Sequence, residues 1–478
     1  MSQLASKEPG PITRIPDDIL ISILESWACM SGSSRPASLD GQQFPWVASK
    51  VCRNWRELTL THSSLWKRIT IDLNDYQHVG LATLLARLDS FLSKSKGQKL
   101  SLTLVLSLYS KPFNTPVVEH IFQAVAKRLE HLSISYGSDY RWPETADYLR
   151  FLTDTLEGPS TYEFTYLKTL HLQLCCLNIK HLRHSMTLRL RAFEGAPSLR
   201  HVRFDSTETG IYLSIDYSRL ESCQTCTVTA IPHLRGDLHH LHLKLINFPA
   251  VTWPTMPLHN LSTLKAELGY TARASSTTRN MSFWNGCVAP SLEILDITVG
   301  YNIGYLPSLF IYAPPALRES VRTLLLCRPI AFDSEDANCD PGDFRKILHC
   351  LPNLHKVVIG ANMPLSWIRG LAPETVGSEV PAPGLKRLCV RPKPESLAEG
   401  FPDALLAALQ SRKVSADNGA HVEPTTVEVC LSGKALKMEE EVRSPLVENK
   451  WARVKELVVE LVWSKLVPDD SRNDMATL

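Results

Sequence analysis

The sequence has no long apolar run and no strong charge of either sign. A transmembrane helix needs about eighteen or more consecutive apolar residues, and the longest apolar run here, 100–109, is interrupted by Ser and Thr. The N-terminus lacks the apolar core and cleavage site of a secretion signal. With 51 Lys and Arg against 49 Asp and Glu, the formal net charge is +2, which argues against nucleic acid or a membrane as a partner. We therefore expect an intracellular protein, cytoplasmic or nuclear.

Catalytic motifs are missing as well. The sequence contains no GxxxxGKS/T phosphate loop, no GxGxxG after a strand, no GxSxG nucleophile elbow and no HExxH helix. We expect that the chain is not an enzyme and uses no cofactor, and we assign no catalytic residue.

Half of a zinc signature is present at Cys223 and Cys226. No second pair of ligands follows at the right spacing, although four histidines lie nearby: His233, His239, His240 and His242. His240 and His242 alternate with leucines, as solvent-facing residues of a strand do. We therefore assign no metal ligand and keep zinc binding as an alternative.

Composition and length indicate a globular protein of more than one part. Apolar residues make up 44% of the chain and charged residues 21%, as in soluble globular proteins. A chain of 478 residues exceeds one ordinary core, unless it forms a barrel or a repeat array. The 12 cysteines are scattered, mostly within Leu-rich runs, so we expect reduced thiols that pack as small apolar side chains.

The first seventy residues contain two short amphipathic helices. Pro16 suits the first turn of a helix, and Asp17 and Asp18 suit its positive end. The apolar residues that follow recur at helical spacing: Ile19, Leu20, Ile23, Leu24 and Trp27. A second helix is predicted with Val47, Val51, Trp55 and Leu58 on one face. These helices are expected to pack as a small bundle.

Residues 12–72 resemble an F-box. The resemblance rests on three elements in order: Ile15-Pro16-Asp17-Asp18-Ile19-Leu20, then Val51-Cys52-Arg53-Asn54-Trp55-Arg56, then Leu65-Trp66. Ile15 stands where the family usually has Leu, and Asp18 where it has Glu. Residues 31–45 insert a polar segment, which we interpret as a mobile surface loop.

The resemblance implies a partner for this module. An F-box joins its protein to the adaptor subunit of an SCF-type cullin–RING ubiquitin ligase, and through the adaptor to cullin. The candidate adaptor-binding residues are Ile15, Pro16, Ile19, Leu20, Ile23, Val51, Cys52 and Trp55. Ile19 and Ile23 are favoured for contact, whereas Val51, Trp55 and Trp66 serve equally well to hold the small bundle together.

A strand-like pattern recurs through the rest of the chain. An apolar residue is followed by two others and then by alternating apolar positions, which place one side of a short strand in a core. The pattern starts at residues 129, 167, 199, 238, 261, 292, 321, 354, 385 and 454, with weaker instances at 220–228 and 425–431. A further strand is predicted at 100–106, and helices are predicted at 81–92, 115–125, 343–348 and from 401.

This alternation resembles leucine-rich repeats, although the repeats are longer and less regular than usual. The predicted fold class is α/β: a small N-terminal helical F-box bundle followed by an irregular leucine-rich repeat solenoid, as in a fungal F-box-like family. The predicted divisions are a disordered N-terminus at 1–11, the F-box-like module at 12–72, a connecting segment at 73–115, the solenoid at 116–467 and a flexible tail at 468–478.

Two further groups of residues have alternative interpretations. The basic residues Lys180, His181, Arg183, His184, Arg189 and Arg191 either face an anionic ligand or form a solvated surface, which we favour. Trp253, Trp284 and Trp367 either anchor a partner or cover the ends of the repeats, which we favour.

The expected function is that of a substrate-recognition subunit. The F-box would bind the adaptor, and the repeats would bind an unknown target protein. The alternative is a non-catalytic interaction scaffold that binds the adaptor without delivering a substrate for ubiquitination.

Overall fold

The chain forms a mixed α/β structure of parallel strands and helices. The computed structural model describes residues 15–30, 39–73, 76, 79–107, 111–137, 156, 162–174, 188–206, 211–225, 233–245, 254, 257–268, 283–284, 286–299, 306–328, 340–360, 363, 365–375, 378–391, 400–431, 445–458 and 460–465. The chain divides into two compact units, Met1–Leu220 and Glu221–Leu478. No helix among the described residues is both long enough and apolar enough to cross a membrane.

The first unit begins with a helical segment, residues 15–66. Its elements are α1 (Asp17–Met30), a 3-10 turn (Ala48–Lys50), α2 (Arg53–Thr61) and a second 3-10 turn (Ser63–Trp66). Both helices pack on the second turn, and α2 also packs on the first. Asn54 Nδ2 donates a hydrogen bond to Asp17 Oδ1 at 3.2 Å. This bond ties the start of α2 to the start of α1.

The second helix begins later than the sequence pattern indicates. Cys52 is extended, at φ −155° and ψ 178°, and its Sγ accepts a hydrogen bond from the Trp55 backbone N–H at 3.5 Å. Cys52 therefore caps α2, and Val47 and Val51 precede the helix instead of lying on its face. The predicted loop 31–45 also differs, because Leu39 is buried; residues 31–38 lie outside the described part.

The rest of the first unit is a parallel sheet with helical connections. Its strands, in order across the sheet, are β1 (Arg68–Asp72), β2 (Leu100–Ser107), β3 (Leu129–Gly137), β4 (Thr169–Leu174) and β6 (His201–Ser206). The helices are α3 (Leu81–Lys94), α4 (Lys111–Val125) and the 3-10 turns Ala126–Arg128 and Tyr217–Arg219. A separate two-stranded parallel sheet pairs β5 (Leu188–Leu190) with β7 (Ile211–Leu213). The strands predicted from residues 100, 129, 167 and 199 are confirmed, whereas the sheet already begins with β1, inside the predicted helical module.

The second unit is a longer parallel sheet in which each strand pairs with the next in sequence. The strands are β8 (Ser222–Thr225), β9 (His240–Leu245), β10 (Thr263–Leu268), β11 (Ile294–Val299), β12 (Thr323–Cys327), β13 (Lys356–Ile359), β14 (Arg387–Val390), β15 (Thr426–Leu431) and β16 (Leu461–Lys465). The helices are α5 (Leu306–Ile311), α6 (Pro315–Ser320), α7 (Pro341–His349), α8 (Phe401–Asp417), α9 (Pro445–Leu457) and a 3-10 helix (Leu365–Leu371). Both weaker sequence instances, at 220–228 and 425–431, contain strands.

The predicted strand from residue 454 is wrong. Residues up to Leu457 belong to α9, and β16 begins only at Leu461. Trp451 and Val454 are buried, and their spacing of one helical turn is what places both on the core side. The predicted flexible tail, 468–478, lies outside the described residues, as do residues 432–444 and 466–467.

Strand burial follows two patterns in the second unit. In β10, β11 and β12, buried residues alternate with partly exposed ones, as predicted. In β8, β13 and β14, the last three residues of each strand are all buried. Parallel strands that are covered on both faces carry apolar residues on both, which explains Val358 and Cys389 at positions where polar residues were expected.

Candidate interaction surfaces

The first helix carries two apolar stripes, one buried and one exposed to solvent. Leu20 and Leu24 form the inner stripe and are 1% and 0% exposed. Ile19, Ile23 and Trp27 form the outer stripe and are 50%, 47% and 44% exposed. One residue rotates the helix by about 100°, so a single run of apolar residues supplies both a packing face and a solvent face.

The other candidate adaptor-binding residues differ in how accessible they are. Val51 is 52% exposed and Pro16 is exposed, whereas Ile15, Cys52 and Trp55 are half-buried. Leu20 lies in the core and is not available for contact. Cys52 has a structural task as the cap of α2. The structure therefore leaves Ile19, Ile23, Val51 and Pro16 as the accessible members of the predicted set.

Trp27 was not among the predicted contact residues. It continues the outer stripe one helical turn beyond Ile23, and its ring lies 5.2 Å from that of Phe44. The spacing of four residues from Ile19 to Ile23 to Trp27 is the sequence signal that would have identified it. A large, half-exposed indole at the end of an apolar stripe is a typical anchor for a partner protein.

Trp66 holds the helical segment together from within. Its ring is fully buried and packs at 4.8 Å on Trp46 and at 5.2 Å on Phe91 of α3. The indole Nε1 donates a hydrogen bond to the Thr59 carbonyl at 2.6 Å. The packing role proposed for Trp66 from the sequence is the one that the structure shows, and it fixes α2 and the second turn against α3.

The second candidate surface is the polar face of the sheet in the first unit. Register across neighbouring strands aligns two rows of residues: Arg68, Ser101, His131, Thr169 and His201, then Thr70, Thr103, Ser133, His171 and Arg203. Burial lowers the pKa of His131, and the positive charges of Lys168 and Arg68 lower it further, against the opposing effect of Glu130. The rows thus combine hydroxyl groups with positive potential.

A polar cluster sits within this face on three strands. Ser133 Oγ lies 3.3 Å from His171 Nδ1, and His171 Nε2 lies 3.5 Å from Asp205 Oδ2 without hydrogen-bond alignment. The same carboxylate oxygen accepts a hydrogen bond from Arg203 Nε at 2.7 Å. The order Ser, His, Asp matches that of hydrolytic triads. However, the N–H groups of β3 serve the strand ladder and are not free to stabilise an oxyanion, so we interpret the cluster as a hydrogen-bonded part of the sheet surface.

Charged residues on the sheet of the second unit are paired between strands, His242 diagonally with Glu267 and Lys265 with its direct register partner Asp296. His242 Nε2 lies 2.8 Å from Glu267 Oε1, and Lys265 Nζ lies 3.8 Å from Asp296 Oδ2. Burial raises the pKa of Glu267, but the hydrogen bond with His242 and the nearby lysines outweigh it, so the pKa lies below its usual value. His242 is only 6% exposed, which corrects its predicted place among the solvent-facing residues.

The predicted half-signature for zinc does not come together in the described chain. Cys223 is fully buried, and burial raises the pKa of its thiol to about 12, whereas a zinc ligand must be a thiolate. His242 is engaged by Glu267, and Cys226 lies outside the described residues. Among the described residues, no group of three or more His, Cys, Asp or Glu side chains is arranged to hold a metal ion.

Two of the three tryptophans considered as partner anchors belong to the core. Trp284 and Trp367 are 2% and 0% exposed, and Trp284 Nε1 donates to the Leu309 carbonyl at 2.7 Å. Trp367 stacks on Phe344 of α7 at 5.2 Å. Neither indole is available to a partner. Trp253 lies outside the described residues, and so does most of the basic group considered for an anionic ligand, at 180–187.

Comparison with known proteins gives no assignment. The chain matches no protein-family model, and no curated protein matches it either. The resemblance to an F-box therefore rests on the quoted residues between Ile15 and Trp66, and function has to be argued from the exposed surfaces.

Proposed function

We propose that this protein is the substrate-recognition subunit of an SCF-type cullin–RING ubiquitin ligase. In this proposal the helical segment is an F-box that binds the adaptor subunit. The parallel strands belong to irregular leucine-rich repeats that bind a target protein. The chain itself catalyses nothing: it holds the target beside the conjugating enzyme, so that transfer becomes nearly intramolecular.

The outer stripe of α1 is the observation that carries the proposal. Ile19, Ile23 and Trp27 are each more than two-fifths exposed, on a helix whose opposite stripe is already buried. Apolar side chains at i, i+4 and i+8 are the arrangement with which an amphipathic helix packs against a partner. Asp17, Asp18 and Glu25 surround the stripe with exposed charge, as in interfaces with an apolar centre and a polar rim.

The polar face of the first unit supports the second half of the proposal. A row of hydroxyl, histidine and arginine side chains on neighbouring strands offers many hydrogen-bond donors at fixed spacing. Sheets of stacked repeats present such faces as extended binding surfaces. The target would be selected by polar groups on this face.

Co-purification with the adaptor subunit tests the proposal directly. We expect the intact chain to bind the adaptor stoichiometrically, and the Ile19→Asp, Ile23→Asp double variant to lose binding. Interface anchors are worth about 2 kcal/mol or more each, so two of them correspond to roughly a thousandfold in affinity. The matched control is Ile311→Asp, which changes a residue of the same type and of similar exposure, 47%, in the second unit.

Two results would overturn the proposal. One is an intact chain that binds no adaptor. The other is a double variant that binds as tightly as the Ile311→Asp control while circular dichroism shows both to be folded. If the adaptor is bound but cullin does not co-purify, and proteasome inhibition raises the abundance of no bound protein, the scaffold alternative replaces the ligase proposal.

A further inference from the structure

The second unit contains a cavity of about 360 Å³ beside its last helices. It lies between α8, the segment 422–425 that leads into β15, and the C-terminal end of α9. Its apolar wall consists of Leu409, Ala416, Val422, Leu457 and Val458. Sites for small molecules are typically concave, mostly apolar and about 300–1,000 Å³ in volume, so the cavity has the size of a site for a small ligand.

Arg412 of α8 also lines this cavity, although it is only 4% exposed. Its Nη1 donates a hydrogen bond to the Pro381 carbonyl at 2.7 Å, and its Nη2 donates to the Ala382 carbonyl at 3.2 Å. A guanidinium carries five N–H groups, and the described residues supply acceptors for two of them. No described carboxylate forms an ion pair with Arg412.

The charge of Arg412 is therefore buried without a counterion. Burial alone lowers its pKa, to about 10, which leaves the group positive at neutral pH. A buried charge without a partner of opposite sign is strongly unfavourable. An anion in the cavity would supply that partner and the missing hydrogen-bond acceptors.

The charges around the cavity limit what kind of anion fits. Arg412 and Lys413 are balanced by Glu423 and Glu456 in the same lining. A polyanion such as phosphate would meet two carboxylates, whereas a single negative charge can lie at the guanidinium. The apolar wall then requires a hydrocarbon body of a few carbons.

We propose that this cavity binds a small organic monocarboxylate, with its carboxylate on the Arg412 guanidinium and its apolar body against Leu409, Val422 and Leu457. Its ligand is a branched or aromatic short-chain acid.

The test uses the full chain with three probes: isovalerate, its neutral counterpart isovaleramide, and inorganic phosphate. Saturation-transfer NMR should show saturable binding of isovalerate in the millimolar range, as expected for about seven non-hydrogen atoms. Isovaleramide and phosphate should bind at least tenfold more weakly. Hydrogen exchange should slow with isovalerate in α8, in residues 422–425 and at the C-terminal end of α9, and should stay unchanged elsewhere.

A variant that fills the cavity locates the site. Ala416 lines the cavity, and Ala416→Leu should abolish isovalerate binding without touching Arg412. The matched control is Ala407→Leu, at an exposed position on the same helix outside the lining, which should bind isovalerate normally.

Four outcomes would overturn the proposal. Equal binding of isovalerate and isovaleramide would show that the charge of Arg412 plays no part. Undiminished binding by a folded Ala416→Leu variant would place the acid elsewhere. Absence of saturable binding by the intact chain, or no local slowing of hydrogen exchange, would show that the cavity is not a site. The exchange measurement needs no variant and decides the matter even if Ala416→Leu does not fold.

Discussion

At the scale of the single residue, the helical segment depends on one side chain more than on any residue of its surface. Trp66 fills the space between Trp46 and Phe91 and satisfies the Thr59 carbonyl. The exposed Trp27 makes one described ring contact, with Phe44. Two tryptophans of the same segment therefore have different roles, one in stability and one at the surface.

We expect Trp66→Ala to lower the free energy of unfolding by about 3–5 kcal/mol, because it leaves a large cavity. Trp66→Phe should lower it by about 1–3 kcal/mol through the lost hydrogen bond and ring volume. The control Trp27→Ala should change it by less than about 1 kcal/mol, as is usual for surface residues. Urea denaturation followed by circular dichroism measures all three, and equal losses for Trp66→Ala and Trp27→Ala would contradict this assignment of roles.

Asp296 of β11 is a second residue with a measurable role. Burial raises the pKa of its carboxyl, and Lys265 lowers it only in part. Its Oδ1 is buried without a hydrogen-bond partner. Because the folded state holds the proton more tightly than the unfolded state, the carboxylate destabilises the fold above its folded pKa, and this penalty is absent below the unfolded pKa of about 3.9.

We therefore expect Asp296→Asn to raise the melting temperature at pH 7. The gain should shrink as the pH falls through the raised pKa and vanish near pH 3.9 and below, where the wild-type group is protonated in both states. Asp205→Asn is the contrasting control: it removes the negative charge from the group that accepts the 2.7 Å hydrogen bond of Arg203 Nε and should lower the melting temperature at pH 7. Thermal melts of the three proteins across this pH range measure the effect, and a lower melting temperature for Asp296→Asn at pH 7 would refute it.

At the scale of the element, close packing between α7 and the 3-10 helix Leu365–Leu371 depends on Gly370. A Cβ on this residue would lie 2.5 Å from the Pro341 carbonyl oxygen at the start of α7. A backbone atom cannot move aside as a flexible side chain can. The two elements would have to separate.

We expect Gly370→Ala to destabilise the second unit by about 1–3 kcal/mol, the usual cost of overpacking. The control is Gly195→Ala, where the added Cβ meets no atom within 4 Å, and which should shift stability by no more than about 0.5 kcal/mol. Chemical denaturation measures both variants. Equal stability of the two would mean that α7 and the 3-10 helix adapt to the methyl group without loss.

The strands were predictable because their signal is local. The pattern of one apolar residue, two other residues and then alternating apolar positions is enough to specify a short strand with one buried side. This pattern located β3, β4, β6 and β9 to β14. The same pattern failed at residue 454, because the apolar residues of Val454-Lys-Glu-Leu-Val-Val fit the spacing of a helix as well as that of a strand. The burial of both Trp451 and Val454, one helical turn apart, is consistent with a helix and becomes visible only in the structure.

The candidate surfaces were less predictable than the elements. Helical spacing alone placed Ile19, Leu20, Ile23 and Leu24 on one apolar face. Which of these residues are buried depends on the turn Ser63–Trp66, which is distant in sequence and packs against α1. The Arg412 cavity had no local signal at all. It joins residues of α8 and α9 with a segment between them, and long-range contacts of this kind leave no short motif in a sequence.

At the scale of the whole molecule, each unit is built from neighbours in sequence. In the described part of the second unit, each strand from β8 to β15 pairs in parallel with the next strand in sequence. Such an arrangement grows by addition of units without needing one large core, which suits a chain of 478 residues. Under the proposed function, the helical segment and the sheet faces divide the two binding tasks between them.

The buried thiols have a practical consequence for watching the second unit open. Burial raises the pKa of Cys223 and of Cys287 to about 12, so both thiols are protonated at neutral pH, whereas alkylating reagents act on the thiolate. Half-buried Cys52 of the first unit stays within reach of such a reagent. The alkylation rates of Cys223 and Cys287 in the native protein therefore measure spontaneous opening of β8 and of the segment that precedes β11, without any engineered label.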